Sequence, residues 1–484
     1  MRRRFVPSQK VAVSIVFVTA MFLTIMDATI VNVALPQLGR EFGVPAAQVD
    51  TVVVGFLVSL SVFIPASGWL GDRFGTKRVL LTALVIFTGA SALCGLAQSI
   101  DQLILFRILQ GVGGGMLAPV GMAMLFRTFP PEERVAASRI LIIPTAFAPA
   151  IGPVLGGLLV TDLSWRWAFY VNVPLGIAGF LFGMLFLDEA TQEDAGSFDL
   201  PGFILAGAGL GALMYAVSEG PAKGWTAPAI DITGVLGVVL VATLVYVELR
   251  SKAPMLDLRL LGNRLFRSSS VALVLSMVSF LGTLFLAALF FQDGFGVSAL
   301  QSGLSTFPEA LGIMAGAQIA ARLYPRIGPR RLMLSGHMGV AASVGLMALV
   351  PFTASLWVMR ALMVLLGLSQ AHVFTPAQAA AFATISPAAT GRASGMFNAG
   401  RQLGGAVGVA LLSTIISALG VVHVVNGKTQ PNAAAYHWAF LAAAVTALLA
   451  ALVARTVDDR AAAPTMRRTP EPEPYSELPE PALS

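Results

Sequence analysis

Asp27 stands near the middle of an apolar run from Val11 to Leu35, and Arg107 stands inside another, from Gln102 to Phe126. A carboxylate at the centre of a membrane costs about 2.5–3.5 kcal/mol on insertion scales, so it is kept there for a partner, a cavity or a proton. At the α-helical rise Arg107 lies about 9 Å beyond Asp101 and Asp27 about 13 Å before Pro36, which gives the two a similar depth. Glu309, just after Pro308, is about 15 Å into the run that begins at Ala299, and Arg401 reaches a comparable depth from the other side. Two readings of Glu309 stay open: a second protonation or cation-binding site, or the permanent counter-ion of Arg401. His372 is either a proton relay or a packing histidine. The chemistry these residue types offer is reversible protonation in a low dielectric. No Gly-x-x-x-x-Gly-Lys-Ser/Thr loop is present to cradle a nucleotide, and the Gly111 to Gly115 stretch lies inside a span, where glycines serve helix packing. The one cysteine, Cys94, excludes intramolecular disulfides and zinc clusters.

The elements that must position these groups follow from composition. Of 484 residues 56% are hydrophobic and 12% charged, a balance that defines a polytopic membrane protein. Apolar windows of spanning length run over Val11–Leu35, Val49–Leu70, Val79–Gln98, Gln102–Phe126, Ala136–Val160, Trp167–Leu187 and Leu200–Ser218. Seven more cover Ile230–Leu249, Ser268–Phe291, Ala299–Arg322, Leu332–Val350, Leu356–Phe382, Arg392–Leu419 and Tyr436–Ala454. They are continuously apolar and do not alternate, so fourteen transmembrane helices are expected, not a barrel. With the N-terminus inside, 24 of the 31 lysines and arginines fall in cytoplasmic segments, four outside and three in mid-span. Positive residues stay inside, so both termini are expected in the cytoplasm, and the net charge of +6 reports orientation, not nucleic-acid affinity.

The chain repeats itself. Gly68-Trp-Leu-Gly71-Asp72-Arg73-Phe-Gly75-Thr-Lys77-Arg78 is echoed 253 residues later by the Ala321 to Arg331 stretch, with Pro325 in place of Asp72, and the same offset carries Arg107 onto Arg360. The expected organisation is a six-helix half over residues 1–187, two inserted helices with linkers over 188–267, a second half over 268–455 and a disordered tail over 456–484. The tail interleaves prolines with glutamates, a composition that packs no core. In the first loop Gly71 and Gly75 allow a tight turn, while Asp72 with Arg73, Lys77 and Arg78 can form ion pairs between the halves in one conformation only. Anchoring alone explains the basic trio but not Asp72. The fifth window carries Pro144, Pro149 and Pro153 with Gly152, Gly156 and Gly157, which predicts a kinked, closely packed helix.

Together these residues resemble the fourteen-span drug:proton antiporter branch of the major facilitator superfamily. Asp27-Ala-Thr-Ile-Val-Asn32-Val-Ala-Leu-Pro36 looks like that branch's first-helix motif, the Asp72 loop resembles the superfamily's signature between helices 2 and 3, and Leu103 to Gly113 is similar to its fourth-helix motif. Gly152-Pro153-Val-Leu-Gly156-Gly157 matches the core of the antiporter motif, although Ala148 and Arg139 stand where that motif has glycines. Trp165 to Pro174, Phe198 to Gly202 and Arg401 to Gly408 complete the resemblance, which covers nearly all of the chain except the tail.

It implies an all-α membrane protein of major facilitator fold, two six-helix bundles plus two inserted helices, with a substrate site between the halves near mid-membrane. It further implies a proton-coupled antiporter in the cell (inner) membrane, exporting amphipathic or cationic small molecules, with Asp27, Arg107 and Glu309 as coupling candidates. Arg107 would hold the Asp27 carboxylate poised, or the two form a static buried pair. Asn32, Gln110, Arg360, His372, Asn398 and Arg401 are the residues available to a cavity or polar network. No cofactor is expected beyond the proton gradient, and no enzyme activity, metal or nucleic acid; the partners are protons, lipids and substrate, around a monomer. Two alternatives stand beside this: export of an endogenous lipid or metabolite in the same fold, and a transport-inactive sensor or scaffold.

Overall fold

The computed structural model describes residues 7–466 apart from 45, 141, 192–196, 252–253, 421 and 426–427. It is helical, with α1 (Gln9–Phe42), α2 (Ala46–Phe74), α3 (Thr76–Leu96), α4 (Ile100–Thr128), α5 (Arg134–Ile140), α6 (Ile142–Asp162), α7 (Trp167–Tyr170) and α8 (Asn172–Phe186) in the first half. The inserted pair is α9 (Leu200–Lys223) and α10 (Pro228–Arg250). The second half comprises α11 (Arg264–Leu289), α12 (Ala299–Met347), α13 (Leu356–Ala381), α14 (Thr390–Leu419) and α15 (Ala433–Ala454), followed by the short α16 (Ala463–Met466). Hydroxyl caps start several of them where water or headgroups end the apolar run: Ser99 Oγ accepts from Gln102 N and Ser298 Oγ from Gln301 N.

Three features depart from the sequence expectation. Eleven helices among the described residues combine the length and hydropathy needed to cross a membrane; the windows at 136–160, 299–322 and 332–350 fall instead on α5 with α6 and on α12. The 49-residue α12 holds two of those windows, broken at Gly328, whose φ of 79° only glycine adopts without strain. A two-stranded antiparallel hairpin, β1 (Val422–Val425) with β2 (Lys428–Pro431), joins α14 to α15 where a loop was expected. The start of the expected disordered tail is also packed: Thr456 Oγ1 donates to Ser268 Oγ, Ala462 is fully buried, and the Tyr324 and Thr465 hydroxyls are 2.8 Å apart. This stretch precedes the proline-glutamate repeat and still carries apolar side chains to bury; the repeat itself, from 467 on, lies outside the described residues.

Within the first half α1 packs on α4, α6 and α8, and α2 on α4; in the second, α11 packs on α14 and α15, and α12 on α13. Small residues permit the closest of these approaches. A Cβ at Gly111 would stand 2.6 Å from the Phe56 carbonyl oxygen and one at Gly115 2.4 Å from that of Leu60, so the glycine run of α4 is a seam against α2. The inserted α9 and α10 pack on each other, and α9 leans on both α2 and α14. The halves meet through α14 against α2 and α4, α12 against α6, and α13 against α5. The largest apolar cluster draws on both halves, whereas the cluster around Ile30, Val52, Leu103 and Trp165 contains no residue of the second. Contact between the halves is thus concentrated at the Asp72 end of the molecule.

Candidate functional site

Asp27 lies on α1, fully buried, and three side chains from two other helices donate to it. Arg107 Nη1 stands 2.5 Å from Asp27 Oδ2, while Gln110 Nε2 and Asn172 Nδ2 reach Oδ1 at 2.9 and 2.8 Å. Arg107 and Gln110 are one turn apart on α4, so both point the same way, and Asn172 opens α8. Around this cage Arg107 Nη1 also donates to Gln110 Oε1 at 2.6 Å, and Asn172 to Ser91 Oγ at 3.0 Å. The Phe56 ring lies 4.1 Å under the guanidinium, a favourable face for a desolvated cation. Asp27, Arg107, Gln110, Asn172, Ser91 and Cys94 are all 0% exposed, so the carboxylate is paired and sealed together. An isolated charge there would be prohibitive; the pair is tolerable because nearly every lone pair facing it is met. One Arg107 nitrogen, Nη2, and Asn172 Oδ1 stay without partners.

Sequence reasoning had placed Asp27 and Arg107 at one depth and included Gln110 in a polar network, but missed Asn172 and Ser91. Asn172 was visible only as part of a motif; an amide opening an apolar window was the available signal. Asn32, on the same helix as Asp27, is exposed and does not join the cage.

In the second half the polar residues are not gathered. Glu309 is 5% exposed with Oε1 unpartnered, and among the described residues no ion pair joins it to Arg401. Among the described residues each group stands without an opposite charge within 4 Å, so the two are not a pair in this structure. Arg360, the repeat of Arg107, bonds Ser305 Oγ at 3.3 and 3.2 Å and lies over Trp357. His372 Nδ1 is 2.8 Å from the Leu368 carbonyl, one turn back on its own helix, which is the packing arrangement. Asn398 crosses between the halves, its Nδ2 3.5 Å from Met122 Sδ of α4, with Oδ1 left free.

The Asp72 loop is built differently from its expected form. Asp72 Oδ1 pairs at 2.5 Å with Arg127, which belongs to the same half; among the described residues the acid makes no ion pair across the halves, and the Arg392 charge of the second half acts on it only from beyond that distance. What crosses is Arg127 Nε to the Pro387 carbonyl at 3.3 Å, Arg134 Nη1 to that of Phe382, and the Phe126 ring stacked 4.7 Å from Phe382. Gly68 lies so near α14 that a Cβ would stand 2.5 Å from the Gly391 carbonyl oxygen. The basic trio serves the first half too. Lys77 Nζ donates to the Leu187 carbonyl at 2.5 Å, and the Lys77 and Arg78 amides donate to the Glu189 carboxylate at 3.0 and 3.2 Å, while Arg73 is exposed. A carboxylate there caps the N-terminus of α3. The second copy repeats the device: Gly75 and Gly328, 253 positions apart, have φ of 98° and 79°, and Asp459 accepts from the Arg330 amide at 2.8 Å. The acids after the last helix of each half were the unread signal. Gly71 makes only ordinary contacts.

Of the antiporter motif, Gly152 and Gly156 face α1. A Cβ at Gly152 would meet Thr29 Oγ1 at 2.0 Å and one at Gly156 would meet Ile30 at 3.0 Å, whereas Gly157 faces open space. The motif thus holds α6 against the helix that carries Asp27. The side chains of Pro153 and Arg139 lie outside the described ones.

A buried charge cage in one helical half, a repeated loop in each half and a closed seam at one end define a two-fold-repeated membrane transporter. The family model described as Major Facilitator Superfamily matches residues 17–409 and 311–482, and the chain belongs to that superfamily. It is 32% identical over 406 residues to a multidrug resistance protein B homolog of Mycobacterium tuberculosis, covering 83% of this chain and 75% of the relative. Over 457 residues it is 31% identical to a proposed multidrug resistance protein, MdtD, of Klebsiella pneumoniae, covering 92% and 95%. The crystal structure of the human organic anion transporter MFSD10 superposes with a TM-score of 0.64 at 18% identity, over 93% of this chain and 100% of that one, a likeness of fold alone.

Proposed function

We propose that this chain exports amphipathic small molecules across the cell membrane in exchange for protons, with the Asp72 end and both termini in the cytoplasm. The relatives named for multidrug resistance support the cargo class, and the predominance of basic residues in segments at the Asp72 end supports the orientation. The single observation that carries proton exchange is the Asp27 cage. A carboxylate met by Arg107, Gln110 and Asn172 and closed to solvent is a proton site with a barrier around it. In this conformation the cytoplasmic seam is shut and the cage is intact. Protonation removes the charge that Arg107 pairs, loosens α1 from α4 and α8, and lowers the cost of rearranging the halves. Because the acid is enclosed by its own half, cargo and proton occupy separate places, and coupling runs through the motion of α1 against α6. Glu309, buried without a cation, is the second candidate for proton binding.

The test is export of the fluorescent amphiphile N-phenylnaphthylamine by purified protein in proteoliposomes under an imposed pH gradient. Asp27→Asn keeps shape and one acceptor, so it is expected to insert and fold yet lose gradient-driven export and cargo-induced proton release. Uphill export by folded Asp27→Asn protein would move the coupling site elsewhere, with Glu309→Gln the next variant to assay.

A further inference from the structure

Arg401, like Glu309, is a charged side chain of the second half's interior that no partner among the described residues accounts for. It lies eleven residues into α14 from Thr390 and eighteen before Leu419, roughly 16 Å deep at the helical rise. It is half-buried, makes no hydrogen bond, ion pair or ring contact among the described residues, and yet none of its nitrogens is sealed. Arg107, by contrast, is wholly enclosed and paired.

The direction of the side chain follows from its helix. Gly404 and Gly408 press on the α11 backbone at Val274 and Val278, Gly391 and Gly395 face α2, and Asn398 touches Met122 of α4. At 100° per residue Arg401 lies among Gly404, Gly405 and Gly408 on the face turned to α11, beside the face that meets α2 and α4 and about 120° from Val407, which is 43% exposed on the outer side. The partly exposed guanidinium is thus turned away from the outer side, along the edge where α14 borders α11. Ser394, two turns toward the cytoplasm on the same face, has a buried hydroxyl without a partner, and Asn398 between them has a free Oδ1.

A mid-membrane cation with neither counter-ion nor hydrogen bond is costly, and its fork of donors matches a planar or tetrahedral oxyanion. We propose that Arg401 binds an anionic group of the cargo, so that the transported molecules include amphiphiles carrying a carboxylate or sulfonate beside an apolar body. This rests on the export reading above and narrows it, since a purely cationic cargo would be repelled from this position.

The experiment compares two probes with the same aromatic body, anilinonaphthalene sulfonate and uncharged N-phenylnaphthylamine, bound to full-length protein in nanodiscs without any gradient, with empty nanodiscs subtracted. Wild type is expected to favour the sulfonate by roughly tenfold or more, the size of a charge-assisted hydrogen bond. Arg401→Gln is expected to bring that ratio close to one, and Arg401→Lys, which keeps the charge, to restore part of it; thermal melting reports whether each variant is folded. A ratio unmoved in folded Arg401→Gln, or a wild type without preference for the sulfonate, overturns the proposal. The binding ratio and gradient-driven export are independent readouts. Loss of export with the ratio intact strikes the export reading, and an unmoved ratio with normal export strikes only the role of Arg401.

Discussion

At the scale of residues, the Asp27 cage makes its donors interdependent. Asn172 gives one amide hydrogen to the Asp27 carboxylate and the other to Ser91, so Asn172→Ala strips a donor from a buried charge. The expected loss of stability is about 1–3 kcal/mol, read as a lower melting temperature of the purified protein. In an Asp27→Asn background the same change is expected to cost distinctly less, because the charge it served is gone. Equal losses in the two backgrounds would mean that Asn172 acts by packing alone. Glu309 gives the opposite expectation. With one oxygen unpartnered and no cation among the described residues within 4 Å, Glu309→Gln preserves shape, removes no ion pair and takes away a charge that nothing balances, so no loss of stability is expected. A loss of several kcal/mol in the same melting assay would reveal a hidden partner for that carboxylate.

At the scale of elements, the seam at the Asp72 end depends on how closely α2 and α14 approach. Gly68 has no room for a Cβ against the Gly391 carbonyl, so Gly68→Ala is expected to force the seam apart and favour the form open to the cytoplasm. Ser394, wholly buried beside that seam, supplies the reporter. On a Cys94→Ser background, Ser394→Cys in inside-out vesicles is expected to react slowly with an impermeant maleimide, and several-fold faster when Gly68→Ala is added. No acceleration would show that the seam does not set the equilibrium. The contact of α6 with α1 has its own size test. Gly152→Ala is expected to impair gradient-driven export by pushing on Thr29, and Thr29→Ala, which removes the atoms it meets, to recover part of that export. Absence of recovery would place the motif's role away from this contact.

At the scale of the whole molecule, the orientation assigned to the chain is open to labelling on the same cysteine-free background. Arg73 and Ala222 are both exposed; in intact cells Arg73→Cys is expected to be protected from impermeant reagent and Ala222→Cys to react. The reverse pattern would invert the topology. Thr76, in the same loop as Arg73, is 1% exposed and would stay silent on either side. The C-terminal segment divides in two by the same logic of burial. Ending the chain after Met466 is expected to leave melting and export near those of the full chain, whereas ending it after Ala462 removes Thr465 from Tyr324 and Met466 from its apolar cluster and lowers the melting temperature.

The sequence by itself determined what is set by solvent and by local chain geometry. Windows of continuous apolar residues fixed a helical membrane protein, basic residues supplied the assigned orientation, and the 253-residue offset showed the duplication, because bilayer thickness and helix pitch act on any segment without reference to its neighbours. The depth of Asp27 and Arg107 was legible for the same reason: it is a count along two helices. Which groups then met across helices was decided only by tertiary structure. Nothing in the spacing told that Asn172 closes the Asp27 cage, that Asp72 pairs with Arg127 inside its own half, or that Glu189 and Asp459 cap the helices after Gly75 and Gly328. Those pairings depend on the rotation of each helix about its axis, and that is settled by where glycines admit a neighbouring backbone. The same rotation left Arg401, among the described residues, without the partner that its depth and charge had suggested in Glu309.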